Sequence, residues 1–380
     1  MDFELSEDHR MLQGVVRDFA KNELSKFART NDHEHRIADE IIGRLKELGF
    51  FGVYLPEEYD GAGLDILSYI IVIEELSKVC AATGVLISAH TSLCCDPIYQ
   101  FGSEEQKSKY LNMLARGEKI GSILLTEPDA GSDVASISTE YTVNDDCYVV
   151  NGTKIFITNG GFRGIGVLFA TKDKSLKHKG LSAFIVDLDD NSVEILKNED
   201  KMGIRGTFTT AFAFNNLKIP KENLLGKEGD GFKIAMATLN GGRIGIAAQA
   251  LGIAEGAFDR ALEYAKIRKQ FGKSLSEFQA IQFKFAEMAT KIETAKLITY
   301  KAGWLKDMGK TNALESAMCK LYASSAAMFV TNEALQIHGG YGYICDYEVE
   351  RMFRDAKITE IYEGTSEIQK IVIANMLFKA

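Results

Sequence analysis

The stretch ITEIYEGTSEIQKIV, residues 358–372, places one acidic residue, Glu363, between two segments patterned like helices. Gly364 follows it and can end the first helix in a left-handed conformation, which glycine adopts without steric cost. Ser366 and Gln369 have the spacing of a capping box, so the second helix is predicted to open at Ser366. Glu363 is therefore predicted to lie in a tight turn beside the free N–H groups of a helix N-terminus. These residues alone leave two interpretations open, an ordinary acid at a turn or a catalytic base.

The sequence around this turn belongs to a long region without proline. The last of the four prolines is Pro220, so the final 160 residues contain none. A proline inside a helix costs about 3 kcal/mol, so such a region favours helices. Its apolar residues recur at spacings of three and four, the period of a helix, as in Ile281, Phe285, Met288 and Ile292.

The remaining sequence divides into two further regions. Helical patterns separated by turn-rich stretches occupy segments 6–28, 37–49, 66–79 and 104–116. Short β-branched and aromatic runs then follow at 147–159, 164–173, 181–190 and 207–219. We therefore predict an α+β protein of three domains. These are an N-terminal α-helical domain over residues 1–118, an antiparallel, β-barrel-like domain over 119–226 and a C-terminal α-helical bundle over 227–380.

Composition excludes several classes of function. The chain has 380 residues, 46% hydrophobic and 26% charged, with a net charge of −9, so it offers no basic footprint for nucleic acid or an anionic membrane. No apolar run reaches membrane-spanning length, and the acidic start MDFELSEDHR predicts no signal peptide. The six cysteines form no CxxC pair, which favours a reducing compartment. We expect a cytoplasmic protein, although a processed mitochondrial matrix protein would look the same.

Common cofactor and catalytic motifs are missing. The sequence contains no G-x-G-x-x-G between a strand and a helix, no P-loop and no G-x-S-x-G elbow, and GFRGIG at 161–166 is interpreted as a loop. The tetrad Asp32-His33-Glu34-His35 has metal-binding side chains, but it is predicted to be a solvated link between helices. His338 is expected to be a packing residue rather than a general base. No metal site is predicted.

Several motifs in order carry a resemblance to a known family. They are LTEPDAGSD (125–133), NGTKIFITNG (151–160), NGGRIGIAAQALG (240–252), RKQFGKSLSEFQ (268–279), QIHGGYGY (336–343) and RDAKITEIYEGTSEIQ (354–369). Together with the helix, β, helix order, they resemble the acyl-CoA dehydrogenase family of flavoproteins over essentially the whole chain. The resemblance is greatest to bacterial butyryl-CoA and short-chain types, and it implies a C-terminal four-helix bundle.

The resemblance implies a role for Glu363. In the family this residue is the base that removes the α-proton of an acyl-CoA thioester, while the β-hydrogen leaves as hydride to N5 of FAD, giving a trans-2-enoyl-CoA. Such a base needs a dry pocket, where desolvation raises its pKa toward neutrality. The backbone N–H of Glu363 is expected to bind the thioester oxygen. Some branches carry the base at the position of Gly242, which cannot serve.

The resemblance also implies binding residues. The FAD contacts expected in the first two motifs are Ile123, Leu124, Leu125, Thr126, Gly131, Ser132, Phe156, Ile157 and Thr158. Those expected from a neighbouring subunit and at the adenosine end are Arg268, Phe271, Gln279, Gln336, Ile337, Gly339, Gly340, Thr365 and Glu367. The expected substrate contacts are Ser132, Asn240, Arg243, Tyr362 and Gly364.

Three positions depart from the family pattern. Phe156 stands where many relatives have Trp, and Asn240 stands where the family usually has Asp, which changes the pairing with Arg243. Asp96 lies in a helix that is expected to border the acyl pocket, where relatives carry a large apolar side chain. We expect Asp96 to face solvent, since an unpaired buried acid is costly. The alternative is a pocket for a more polar acyl group.

The sequence therefore predicts an FAD-dependent acyl-CoA dehydrogenase that interconverts a short-chain acyl-CoA and its 2-enoyl-CoA. The resemblance implies electron-transferring flavoprotein as electron partner and a homotetramer built as a dimer of dimers. The main alternative is an aryl-acryloyl-CoA (caffeyl-CoA type) reductase with the same catalytic residues. An acyl-CoA oxidase and a flavin-free helical scaffold are further alternatives.

Overall fold

The structure, a computed structural model, describes residues 4–310 and 312–379. The N-terminal region is helical, as predicted. Its helices are α1 (Glu7–Phe19), α2 (Ser25–Glu34), α3 (Asp39–Glu47), α4 (Ile66–Ser77), α5 (Ala81–His90), α6 (Asp96–Phe101) and α7 (Glu104–Ala115). π-Helical turns at Ala20–Leu24 and Thr91–Cys95 join α1 to α2 and α5 to α6. π-Turns of this kind often occur at functional sites.

The helix starts follow from capping side chains. Ser6 and Asp65 accept hydrogen bonds from the backbone N–H groups of His9 and Ser68, and Ser103 forms a capping box with Gln106 at the start of α7. These contacts satisfy N–H groups that have no partner within the helix. Helices α4 and α5 are apolar on almost every side because both lie inside the protein.

The middle region forms one eight-stranded sheet. Its strands are β1 (Gly121–Leu124), β2 (Glu140–Val143), β3 (Cys147–Thr158), β4 (Ile165–Thr171), β5 (Leu181–Asp187), β6 (Val193–Asn198), β7 (Thr209–Pro220) and β8 (Leu224–Leu225). The strand order is β6-β7-β3-β2-β4-β5-β8, with β1 also paired to β4. The predicted antiparallel pairing holds along most of the sheet, but β1–β4 and β2–β4 are parallel. Parallel pairs become possible because long connections separate those strands in sequence.

The C-terminal region is helical, as predicted. Its helices are α8 (Gly231–Ile267), α9 (Gln279–Asp307), α10 (Ala313–His338), α11 (Val349–Ile358) and α12 (Ser366–Lys379). The long helices α8, α9 and α10 pack on one another, and α12 packs on α10. A short hairpin of β9 (Lys269–Gln270) and β10 (Lys273–Ser274) connects α8 to α9. The four-helix bundle is formed by α8, α9, α10 and α12.

The tetrad at 32–35 is solvated in part, since His33 and Glu34 are exposed, but it is not the link between helices that we expected. Asp32, His33 and Glu34 form the last turn of α2, and His35 ends the helix in a left-handed conformation. Asp32 forms an ion pair with Arg354 of α11 (Oδ2 to Nη2, 2.7 Å). The part of the chain that the structure describes holds no group of three potential metal-ligating side chains.

Candidate active site

The turn between α11 and α12 places Glu363 as the sequence predicted, but it is capped differently. Glu363 and Gly364 have φ values of 51° and 92°, so two successive residues are left-handed. Thr365, rather than Ser366, caps α12, because its Oγ1 accepts the Ile368 N–H (3.3 Å). The Gln369 amide turns back and donates to the carbonyl oxygens of Glu363 (3.2 Å) and Gly364 (2.8 Å). The predicted Ser366–Gln369 capping box is therefore wrong in register by one residue.

The Glu363 carboxyl group points into the protein. Its Oε2 is buried and has no hydrogen-bond partner in the described part of the chain. A Cβ built on Gly242 of α8 would overlap Oε2 and would lie 2.9 Å from Glu363 Cδ and 2.7 Å from Leu93 Cδ2. Gly242 therefore provides the space that this carboxyl group occupies. Burial raises the pKa of Glu363 to about 7, against the opposing effects of Lys320 and Arg243.

The neighbouring predicted contacts gather around Glu363. The Tyr362 hydroxyl donates to Gln249 Oε1 of α8, and burial raises the pKa of Tyr362. Arg243 Nη1 donates to Asn240 Oδ1 (2.7 Å), while Arg243 Nε is buried without a partner in the described chain. Asn240 and Arg243 therefore pair through one hydrogen bond from the charged guanidinium to a neutral amide, which leaves the Nε–H group of Arg243 without a partner in the described chain.

The predicted flavin contacts of the middle region form a second group. Strand β3 has a register shift between Lys154 and Ile157, and Phe156 has a φ of 58° there, so its ring is 59% exposed. A register shift of this kind is a β-bulge, which turns a side chain away from the direction that it would take in a regular strand. The Ile155 N–H donates to Thr126 O (2.9 Å), which joins β3 to the segment that follows β1. Of the predicted contacts, Ile123 and Leu124 end β1, and Leu125 and Thr126 begin that segment. In the loop beyond, Gly131 and Ser132 are exposed.

A buried ion pair fixes this loop. The Lys154 ammonium contacts Glu127 Oε1 (2.7 Å) and donates to Leu125 O (3.0 Å). Glu127 also accepts the N–H groups of Ser138 and Thr139, so it anchors both ends of the loop. Desolvation opposes ionisation, but Lys154 and these hydrogen bonds lower the pKa of Glu127 to about 2. Sequence analysis did not identify this pair, because its two residues are 27 positions apart and meet only in the folded chain.

The π-helical turn at Thr91–Cys95 brings the two groups together. Leu93 lies against the position of Gly242 and Glu363, while Cys94 lies against Gly121 at the start of β1. Asn159, which follows β3, donates to the carbonyl oxygens of Leu86 (3.0 Å) and Gly121 (3.2 Å). The turn that carries Glu363 and the strands β1 and β3 are therefore all linked to this π-helical turn.

The remaining predicted contacts lie far from Glu363. Arg268 follows the last residue of α8, so it is roughly 39 Å from Gly242 along a helix that rises about 1.5 Å per residue. Its guanidinium lies 5.4 Å from the centre of the Tyr341 ring, beside exposed Gly339 and Gly340. Phe271 is 95% exposed. Gln279 and Gln336 are also exposed, whereas Ile337 is buried. Within one chain, the structure does not bring this group to the turn that carries Glu363.

A cavity of about 720 Å³ lies beside the turn, between α9, α10 and α12. Thr365 and Glu367, the two residues expected at the adenosine end of the cofactor, line it together with Lys357, Glu360 and Lys370. The cavity combines charged side chains with apolar ones such as Leu321 and Ile373.

The expectation for Asp96 is wrong. Asp96 is only 3% exposed, and its Oδ2 accepts hydrogen bonds from Lys306 Nζ (3.0 Å) and Gln100 Nε2 (2.8 Å). The Lys306 ammonium also lies over the Tyr54 ring, 5.5 Å from its centre. The partner lies 210 residues away in sequence, so no local pattern could reveal it. A paired carboxylate is not the free acceptor that a polar acyl group would need.

Replacing Asp96 by Ala is expected to destabilise the fold by about 2 kcal/mol, because it leaves the half-buried Lys306 ammonium without its counter-ion. The double variant Asp96→Leu with Lys306→Met removes both charges and is expected to recover most of that loss. Urea denaturation followed by circular dichroism measures both. A double variant as unstable as the single one would contradict this account of the pair.

The sequence interpretation of His338 as a packing residue agrees with its surroundings. The ring is buried, stacks on Tyr264 with centroids 4.3 Å apart, and its Nδ1 lies 2.8 Å from Ala334 O. Sequence analysis missed Lys320, which lies on the buried face of α10 with Ser316 and Ala323. A single lysine among small residues at helical spacing was the signal that could have found it.

No helix in residues 4–310 and 312–379 is both long enough and apolar enough to cross a membrane.

Comparison with known proteins identifies the family of this chain. The chain matches three domains of one family: the acyl-CoA dehydrogenase N-terminal domain at residues 6–118, the middle domain at 122–217 and the C-terminal domain at 229–378. It is 52% identical to the short-chain specific acyl-CoA dehydrogenase of Clostridium acetobutylicum, over 100% of both chains.

Solved structures agree. The butyryl-CoA dehydrogenase of Megasphaera elsdenii is 48% identical, with a TM-score of 0.97 over 100% of both chains. A chain from a structure on the electron transferring flavoprotein of Acidaminococcus fermentans is 50% identical, with a TM-score of 0.98 over 100% of both chains. The chain therefore belongs to the acyl-CoA dehydrogenase family, whose members are flavoprotein oxidoreductases acting on CH–CH bonds.

Proposed function

We propose that this protein interconverts a short-chain acyl-CoA, of the size of butyryl-CoA, and its trans-2-enoyl-CoA. The observation that carries the proposal is the Glu363 carboxyl group, which is buried, unpartnered at Oε2 and has a pKa raised to about 7. A base with a pKa near the working pH is both available and strong enough to remove a proton from carbon. The relatives from Clostridium acetobutylicum and Megasphaera elsdenii are described as short-chain and butyryl-CoA enzymes, which supports the substrate class.

The turn supplies a second function. The Glu363 N–H donates no hydrogen bond to another backbone group in the described chain. We propose that it binds the thioester oxygen, so that one residue both removes the α-proton and stabilises the negative charge that develops on that oxygen. The left-handed conformation of Glu363 and Gly364 makes this N–H available. Tyr362 and Gly364 would line the same end of the acyl group.

FAD is the cofactor that the available residues fit. The redirected Phe156 side chain and the half-buried Thr158 offer a face for a flavin ring, whereas the predicted contact Ile157 has its side chain buried in the sheet. The cavity at Thr365 and Glu367 offers a place for the adenosine. When bound, FAD accepts the β-hydrogen as hydride. The chain holds the acyl group between Glu363 and this face and excludes water from it.

A second copy of the chain would complete the cofactor site. The group at Arg268, Phe271 and Gly339 is too far from the catalytic turn to contact the same dinucleotide within one chain. Phe271 and Tyr343 are 95% and 84% exposed, which suits burial by another subunit. We propose a homotetramer, a dimer of dimers, in which this group contacts the FAD of a neighbour. Electron-transferring flavoprotein is the proposed electron partner, supported by the related Acidaminococcus fermentans structure.

The test is the visible spectrum of the purified, FAD-loaded protein under anaerobic conditions. Butyryl-CoA is expected to bleach the flavin absorbance rapidly, while an aryl-propionyl-CoA bleaches it slowly, because Asp96 is already paired with Lys306. Bleaching by the aryl substrate alone would overturn the short-chain proposal in favour of an aryl-acryloyl-CoA reductase. Rapid reoxidation by oxygen with peroxide formation would instead indicate an oxidase.

A further inference from the structure

Lys320 is a buried lysine without an acidic partner. It is fully buried on α10, and no carboxylate of the described chain lies within 4.0 Å of its ammonium. The other fully buried lysine, Lys154, forms an ion pair with Glu127 (2.7 Å). Burying an ammonium group is costly unless its hydrogen bonds and charge are compensated. The burial of the Lys320 ammonium group therefore needs another explanation.

Its hydrogen-bond acceptor lies in the catalytic turn. Lys320 Nζ donates to the carbonyl oxygen of Gly364 (2.7 Å). The same oxygen accepts the Gln369 side-chain amide (2.8 Å), which also donates to the carbonyl of Glu363. Glu363 is left-handed, a conformation that is strained for a residue other than glycine and persists only where the surroundings hold it. Lys320 and Gln369 hold the peptide that follows the proposed base.

The charge of Lys320 also acts on Glu363. Burial raises the pKa of the Glu363 carboxyl, and Lys320 opposes this effect more than Arg243 of α8 does. Burial in turn lowers the pKa of Lys320 to about 8, with Glu363 opposing. Other groups close to Glu363 or Lys320 are Tyr69 of α4, Cys319 of α10, Glu360 and Tyr362 of the turn and Glu367 of α12. Lys320 and Arg243 are the two cations in this set.

We propose that Lys320 is a positioning residue for the reaction, which holds the Gly364 carbonyl and thereby aims the Glu363 carboxylate and N–H, while its positive charge favours the ionised form of Glu363. This inference rests on the proposed role of Glu363 as the base. The two side chains that bind the Gly364 carbonyl oxygen differ in what they supply. Gln369 supplies only a neutral hydrogen bond to the Gly364 carbonyl, whereas Lys320 supplies a hydrogen bond and a charge.

The test is the ionisation of Glu363 itself, measured without turnover. Infrared difference spectra between the wild type and Glu363→Gln, recorded across pH 5–10, report the protonated carboxyl band of Glu363. Lys320→Met fills a similar volume without the charge and is expected to raise the Glu363 pKa by at least about 1 unit. At pH 7 the rate of flavin bleaching by butyryl-CoA is then expected to fall at least about fivefold, since fewer molecules carry the ionised base. Raising the pH should restore part of that rate.

The matched control is Gln369→Leu, which removes the neutral donor to the same carbonyl. It is expected to slow bleaching at every pH and to leave the Glu363 pKa within about 0.3 unit of the wild type. Lys320→Arg keeps the positive charge, so the Glu363 pKa should stay at its wild-type value. If Lys320→Met does not fold, Lys320→Gln is the neutral variant to use in its place. An unchanged Glu363 pKa in a folded neutral variant overturns the inference. A wild type that butyryl-CoA fails to bleach would instead contradict the proposed function, and the infrared titration would still decide the role of Lys320.

Discussion

Replacing Glu363 by Gln is expected to lower the rate of flavin bleaching by butyryl-CoA by at least about 10⁴-fold, because the amide cannot accept the α-proton. The side chain keeps its shape and its place against Gly242, so FAD content and substrate binding should persist. Anaerobic stopped-flow spectroscopy measures the rate. In the wild type the rate should rise with pH through an inflection near pH 7, where the carboxyl group loses its proton, and this inflection should be absent from Glu363→Gln.

The same substitution is expected to stabilise the fold above neutral pH. The folded-state pKa of Glu363 is raised to about 7, so the wild type loses stability as pH rises from the unfolded-state pKa through 7. Glu363→Gln avoids this loss, so its advantage should reach up to about 3 kcal/mol at pH 8 and vanish near pH 4. Urea denaturation at the two pH values measures it. Glu40→Gln on the exposed face of α3 is the matched control, and an equal gain there would contradict the account of Glu363.

The fold was predictable because local patterns agree with it. The absence of proline after Pro220 and the spacing of apolar residues predicted the C-terminal helices, and β-branched runs predicted strands β3, β4, β5 and β7. The parallel pairing of β1 with β4 was not predictable in this way, because it depends on where the chain returns after the β2–β3 hairpin.

The site was predictable only where its residues are adjacent in sequence. Glu363 and Gly364 lie in a turn, as the sequence predicts, but α11 already ends at Ile358, so Gly364 permits the left-handed turn and does not itself end the helix. Lys320 lies 43 positions from Glu363, and its hydrogen bond to Gly364 exists only after α10 packs beside the turn. Asp96 was expected to be exposed for the same reason, because Lys306 becomes its neighbour only in the folded chain. Burial of a charge is decided by partners that are distant in sequence.

Replacing Gly242 by Ala is expected to lower the rate of bleaching by butyryl-CoA by about 10²-fold. The new methyl group would overlap Glu363 Oε2 and come within 2.7 Å of Leu93 Cδ2, so the carboxyl group must move away from its place. A displacement of about 1 Å in a catalytic group is enough for a loss of this size. The rate is measured by stopped-flow spectroscopy on protein whose FAD content has been determined.

The adjacent glycine provides the control for this prediction. Gly241→Ala makes the same change one position earlier in α8, and its methyl group meets the flexible end of Lys306 at 2.8 Å and Asp96 Oδ2 at 3.3 Å. The Lys306 ammonium can shift by a few tenths of an ångström, and alanine favours the helix by about 1 kcal/mol in both variants. Gly241→Ala should therefore bleach at close to the wild-type rate. Equal losses of bleaching rate in the two variants would mean that α8 itself is disturbed. A Gly242→Ala enzyme with full activity would show that Glu363 does not need the space beside Gly242.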